Sequence, residues 1–169
     1  MRKLARVVIS AAFAVATVAV GTVPASAAGV CEPFGCYISN ITAKGFYSVS
    51  GTSLCSASSV YPGTLYCSYT KSFTGSVGYS SNIGFNLVKD SLSANFGVNA
   101  DQSKTIAINA TCERTFGAKG GRIFGVPEFQ KHEFQVRSRQ IGGGGANDPV
   151  VGSGWVGVPT GMKCVFQEH

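Results

Sequence analysis

Between Lys71 and Cys112, apolar side chains recur at every second position. Phe73, Val77, Tyr79, Ile83, Phe85 and Leu87 hold the odd phase, separated by Ser72, Thr74, Ser76, Gly78, Ser80, Asn82, Gly84 and Asn86. After Lys89-Asp90 the pattern restarts on even numbers, at Leu92, Ala94, Phe96, Val98, Ala100, Ile106, Ile108, Ala110 and Cys112. A period of two puts apolar groups on one side of a pleated strand and polar groups on the other. The stretch predicts a long two-stranded hairpin, or a three-stranded meander that also turns at Asp101-Gln102. The expected fold class is all-β, an antiparallel sandwich or an elongated twisted sheet with a long amphipathic hairpin. No helical periodicity of useful length is expected downstream of the N-terminal segment.

That N-terminal segment has its own pattern. Arg2, Lys3 and Arg6 precede an apolar run from Val7 to Val23, followed by Pro24 and Ala25-Ser26-Ala27. Charge, apolar core and small residues in this order predict a signal peptide over residues 1–27, cleaved after Ala27 or Ala28. A spanning helix needs about 20 apolar residues, and no second such run follows. Residues 28–169 are expected to form one secreted domain, long enough to bury a core. The formal charge is +6, but three of the basic side chains lie in the signal segment. The remaining excess is too mild to point to nucleic acid.

Six cysteines, Cys31, Cys36, Cys55, Cys67, Cys112 and Cys164, all lie beyond the signal segment. An even count in an exported chain predicts disulfides formed in an oxidising, extracellular compartment. Six cysteines allow 15 pairings; the preferred set is Cys31–Cys36, Cys55–Cys67 and Cys112–Cys164. Cys55 and Cys67 flank Tyr61-Pro62-Gly63, a turn signal, which suggests that they face each other across a hairpin. With no Cys-x-x-Cys pair and only His132 and His169 as histidines, no metal site is expected.

The remaining segments are short and glycine-punctuated. Tyr37–Thr42 and Lys44–Gly51 are expected strands, and Ser53–Val60 with Thr64–Thr70 an expected hairpin. Thr115–Gly121 is expected to be a loop. Arg122–Val126 and Glu128–Arg137 are expected strands, separated at Pro127 by a bulge or edge position. Ile141–Pro149 carries four consecutive glycines and predicts a flexible connection. Val151–Val158 and Lys163–Gln167 complete the strands, with a turn at Pro159-Thr160-Gly161.

Chemistry is sparse. His132 is the only interior histidine, and no Gly-x-Ser-x-Gly elbow is present, so a Ser-His-Asp triad has no footing. Glu128 and Glu133 are the carboxylates nearest to a glycosidase pair. Gly142–Gly145 precede no helix, so they form no phosphate loop. No catalytic residue and no cofactor are expected. Arg114, Lys119, Arg122, Lys131, Arg137 and Arg139 concentrate in the last third, interleaved with Glu113, Glu128 and Glu133. They make either a solvated face with cross-strand ion pairs or a patch for an anionic surface. Asn40-Ile41-Thr42 and Asn109-Ala110-Thr111 match the glycosylation sequon, a match too common to carry an inference.

Ser72–Val88 and Ser91–Cys112 each exceed the 9–11 residues with which a tilted strand crosses a bilayer. One hairpin leaves unpaired edges, so a pore would need several chains. Gln102 and Lys104 fall on the apolar phase and are costly in lipid. The chain resembles small secreted β-proteins of actinobacteria in its Ser/Thr-rich strand pair over Ser72–Thr111. The likeness extends to Gly120-Gly121-Arg122-Ile123 and to Gly152-Ser153-Gly154 through Val158-Pro159-Thr160. The strand pair is also similar in pattern to the insertion segment of aerolysin-type pore-forming toxins, which implies membrane contact and oligomers. The expected function is non-enzymatic binding to a cell surface or an extracellular macromolecule; the alternative is a small membrane-active or β-pore-forming protein.

Overall fold

The computed structural model describes residues 30–49, 51–141, 145 and 147–169. The expected signal peptide and residues 142–144 and 146 of the glycine-rich connection lie outside them. The elements in chain order are β1 (Cys36–Ser48), β2 (Cys55–Ser59), β3 (Gly63–Ser76), β4 (Gly78–Ser81), α1 (Phe85–Phe96), β5 (Ser103–Phe116), β6 (Gly121–Ser138) and β7 (Val150–Glu168). One sheet has the order β1-β6-β7-β4, with β2 pairing β6 beyond the end of β1; β3 and β5 form a separate two-stranded ribbon. All pairings are antiparallel. Among the described residues the fold is antiparallel β with the single long helix α1, stapled by three disulfides.

β6 is the axis of the molecule. It steps one residue at a time against β7, whose register shifts opposite Glu128/Phe129 and Val136/Arg137 put bulges at Thr160 and Val151. The two faces of β6 therefore alternate without interruption along its length. Burial does not follow one face. Gly121, Ile123, Gly125, Pro127 and Phe129 are buried in the first half, and Phe134, Val136 and Ser138 in the second. The odd face is covered at one end of the strand and the even face at the other.

The ribbon covers the odd face. It pairs without a break from Gly63↔Phe116 to Ser76↔Ser103. Its inward side packs Cys67 and Cys112 on Ile123, with Leu65, Met162, Cys164 and Phe166 around them. Thr64, Ser68, Thr70, Thr74, Thr105 and Thr111 point outward and are exposed. The alternation read between Ser72 and Ser76, and between Ser103 and Cys112, is thus that of paired strands. Phe73 and Ile106, which face each other in this pairing, are half-buried.

The middle of that alternating stretch is a correction. Residues 85–96 are helical, where strands and a turn at Lys89-Asp90 were expected. Phe85, Val88 and Leu92 are the buried positions, at the i, i+3, i+7 spacing of one helix face. A period of 3.6 sampled in twos first looks odd and then even, so the phase change at Lys89-Asp90 is the helix itself. Gly97 takes the left-handed conformation at φ 67°, and its N–H donates to Ser93 O, closing the last turn. The helix lies on the even face of the sheet, where the Ile38 N–H donates to Ser91 Oγ at 3.0 Å. Val77, Ile83, Phe85, Val88, Leu92 and Val98 meet Ile38, Phe134, Val136, Val156 and Val158 in the main core.

Four further expectations are corrected. Tyr37–Thr42 and the first part of Lys44–Gly51, as far as Ser48, are one strand, β1, bulged between Ser39 and Thr42 and between Ala43 and Phe46; Asn40 adopts φ 50° in the first bulge. Pro127 does not break β6. It faces the gap between the end of β2 pairing at Gly125 and the start of β1 pairing at Glu128, where no ladder bond needs its missing N–H. Pro159-Thr160-Gly161 is a bulge inside β7 rather than a turn. Finally, β2 pairs with β6 and not with β3, so Cys55–Cys67 joins the sheet to the ribbon instead of crossing a hairpin.

The disulfides are Cys31–Cys36, Cys55–Cys67 and Cys112–Cys164. Cys67 and Cys112 are register partners in the ribbon. The second and third disulfides therefore fasten adjacent ribbon strands to β2 and β7 at one level.

Candidate functional site

Half-covering each face of β6 leaves two half-faces open. On the even face near Arg122, Phe124 and Val126 line a shallow depression with Gly51, Thr52, Ser53 and Ser56. On the odd face the open half holds Lys131, Glu133 and Gln135, flanked by Thr42 and Tyr47 of β1 and by Ser153 and Trp155 of β7. The second surface carries the aromatic and hydrogen-bonding groups and is the candidate site.

Trp155 and Tyr47 are set by glycines in neighbouring strands. Gly78 and Gly157 are register partners between β4 and β7. A Cβ at Gly78 would come within 2.8 Å of Trp155 Cζ3, and one at Gly157 would collide with the Tyr47 hydroxyl. Both rings thus lie across bare backbone. Tyr47 stacks on Phe129 at 5.4 Å and meets Trp155 edge-on at 6.4 Å between centroids. Burial pushes the Tyr47 hydroxyl above its ordinary pKa.

Next to the rings is a compact ion cluster. Glu133 accepts from Lys131 Nζ at 3.2 Å and pairs with Lys44 Nζ at 3.3 Å. The hydrogen bond from Lys131, followed by that from Lys44, holds the Glu133 carboxyl below its ordinary range. Lys131 Nζ also lies 5.3 Å from the Trp155 ring centroid, within cation–π reach. Trp155 divides two hollows. One is lined by Asn40, Thr42, Glu133, Gln135 and Ser153, and the other by Gly45, Phe46, Tyr47 and Lys131. Asn40 Nδ2 donates to Gln135 Oε1 at 2.6 Å. Phe46 at the outer edge is 58% exposed, leaving an apolar rim open to a ligand.

The six basic residues singled out in the sequence do not form one patch. Arg122 and Arg137 are about 50 Å apart along β6 at the usual strand rise, and they project from opposite faces. Arg114 pairs with Glu168 at 3.4 Å and lies over Phe116 and Phe166. Lys119 is exposed in the turn between β5 and β6. Arg137 donates to Ser39 Oγ at 3.1 Å and to Asp148 O at 2.6 Å. Arg139 lies over the Tyr37 ring. Lys131 lies in the middle of the open face and the half-buried Arg137 at its end.

Other groups are also separated. Glu128 and Glu133 project from opposite faces of β6, so they do not confront one substrate bond. His132 is on the even face, its ring tilted by 46° against that of Phe96 with centroids 4.9 Å apart. Burial, and secondarily Lys104, hold its pKa below the ordinary value. Asp148 is buried and accepts from the Tyr37 hydroxyl at 3.0 Å and from the Gln140 N–H at 3.2 Å. It ties the end of the glycine-rich connection to β1.

Sequence reasoning missed Tyr47, Trp155, Gln135, Asn40 and Ser153 as site residues. One signal was available: the single tryptophan sits on a strand among Gly152, Gly154 and Gly157, an invitation for large rings to lie on the sheet. Which strands would flank it was not readable without the register. The chain matches no protein-family model and no curated protein.

Proposed function

We propose that this is an extracellular, non-enzymatic binding protein that docks a macromolecular ligand on the open face around Trp155. The observation that carries the reading is the pair of rings held rigidly on an uncovered sheet face, bordered by amides, hydroxyls and a self-paired ion cluster. Rigid aromatic groups supply contact area at little entropic cost, and flanking polar groups orient the ligand. Three disulfides suit an oxidising compartment, which supports placing the ligand outside the cell.

A membrane-inserting hairpin is the competing reading, and the packing weighs against it. Insertion would draw residues 77–102 out of the main core, removing Val77, Ile83, Phe85, Val88, Leu92 and Val98 from it. At about 1.5–3 kcal/mol for each large apolar side chain, the loss is comparable with the whole stability of a domain, about 5–15 kcal/mol.

The test is retention on isolated bacterial cell walls, comparing the wild-type domain with Trp155→Ala and Tyr47→Ala. Retention that falls at least tenfold in both variants, with melting temperatures preserved, is the expected outcome. Equal retention of all three proteins contradicts the reading.

A further inference from the structure

We propose that the ligand of this face is an acidic polysaccharide, laid along β6 with its negative groups at Lys131, Lys44 and Arg137. The proposal rests on the binding reading above and adds the chemical class of the ligand. The charges, their spacing and the groups between them carry it.

Three cations stand on this face against one carboxylate. Lys44 and Lys131 converge on Glu133 at 3.3 and 3.2 Å, so two ammonium groups share a single negative charge. Arg137 is fixed at the end of the face by its bonds to Ser39 Oγ and Asp148 O. Arg139, further on, shares one hollow with the buried Asp148 and another with Asp90, and is left out of this excess. The remaining surplus is complementary to a polyanion. The Lys–Glu pairs do not stand in the way. Their side chains are between 36% and 47% exposed, and exposed ion pairs contribute little, so each lysine can turn to a ligand anion.

Lys131 and Arg137 are six residues apart on one strand, about 20 Å at the usual rise. Cations in line over that length match an extended chain rather than a planar lipid surface. Between them lie Gln135 and, from the flanking strands, Asn40, Thr42 and Ser153. Their amides and hydroxyls both donate and accept, as sugar hydroxyls do. A nucleic acid would use an open ring on which to stack a base, whereas Trp155 carries Lys131 at 5.3 Å from its centroid. The ring thus sets the position of an ammonium group that meets the ligand.

Trp155 is the only tryptophan, so its emission reports on this face alone. The oxidised domain is titrated with polygalacturonate and its methyl ester, and with phosphomannan and mannan, so that each chain is offered with and without its charge. A saturable emission change with a charged chain, absent with its neutral counterpart, is expected. Binding should weaken about tenfold between about 50 and about 500 mM salt. The pair that responds identifies the anion as carboxylate or phosphodiester. Lys44→Gln should weaken the binding about threefold, and Glu133→Gln, which removes the competing carboxylate, should tighten it about threefold. Arg122→Gln, on the opposite face, should leave it unchanged. If neutral chains bind as well as charged ones, or if Lys44→Gln and Glu133→Gln change nothing, the ligand class is wrong. The class also falls if none of the four chains binds, or if duplex DNA or phosphatidylglycerol vesicles bind more tightly than any of them. In each of these cases the docking face stands so long as Trp155→Ala abolishes cell-wall retention. If Trp155→Ala retains full cell-wall binding, the docking face and the ligand class fall together.

Discussion

The two halves of β6 are built by opposite means. At the Gly121 end, a ribbon covers the odd face over a small buried centre, Cys67, Cys112 and Ile123, and two disulfides fasten it there. At the Ser138 end, α1 and its flanking segments cover the even face over a larger apolar core, with no disulfide between the helix and the sheet. Both cross-links that join the ribbon to the sheet sit where apolar burial is thin, whereas the disulfide at the Ser138 end, Cys31–Cys36, closes only a short local loop before β1. The same division leaves the odd face bare beside Trp155, which is why the candidate site is where it is.

The largest effect should come from the ribbon end. Cys112→Ala/Cys164→Ala opens a loop with a sequence separation of 52, and chain-entropy reasoning gives a loss of about 4 kcal/mol. Denaturant titration should show this loss, with the ribbon exchanging its amides well before α1 does. A loss under about 1 kcal/mol would mean that packing and Cys55–Cys67 hold the ribbon without this cross-link, and would contradict the contrast between the two ends.

A smaller loss is expected at the helix end. Leu92 is fully buried, and truncation to Ala should cost about 3 kcal/mol, measured the same way with all disulfides intact. If Leu92→Ala were neutral, α1 would not be a working part of the core.

The smallest effect is one of pH. Burial lowers the His132 pKa, so the folded state favours the neutral ring. Its contribution is complete above the unfolded value of about 6.5 and is lost as the pH falls through the lower folded value. The urea midpoint should therefore fall between pH 7.5 and 5.5, and His132→Gln should flatten that dependence. An unchanged slope in the variant would remove His132 as its cause.

Much of this architecture was legible in the sequence, and the failures share a cause. The strands at the two ends of the 71–112 stretch and the antiparallel class follow from local alternation; the disulfides are the preferred set, but Cys55–Cys67 forms between sheet and ribbon and not across the expected hairpin. The helix was hidden because Phe85, Leu87, Leu92, Ala94 and Phe96 satisfy a period of two nearly as well as 3.6; tertiary packing against Ile38 and Val136 decides between them. Pro127 and Pro159 looked like breaks because their tolerance depends on neighbouring strands, in the β1–β2 gap and at the β7 bulge. The site was least legible of all. Tyr47, Gln135 and Trp155 come from three strands, and only register brings them together.

The central claim is that residues 77–102 are a fixed half of the main core, so that the protein acts through its open face and not by inserting a hairpin. Peptide-resolved hydrogen exchange with and without lipid vesicles tests it most directly. The amides of residues 85–96 should exchange only with global unfolding, and vesicles should leave residues 77–102 unchanged with no release of trapped dye. Vesicle-dependent change across 77–102 together with dye release would contradict the account.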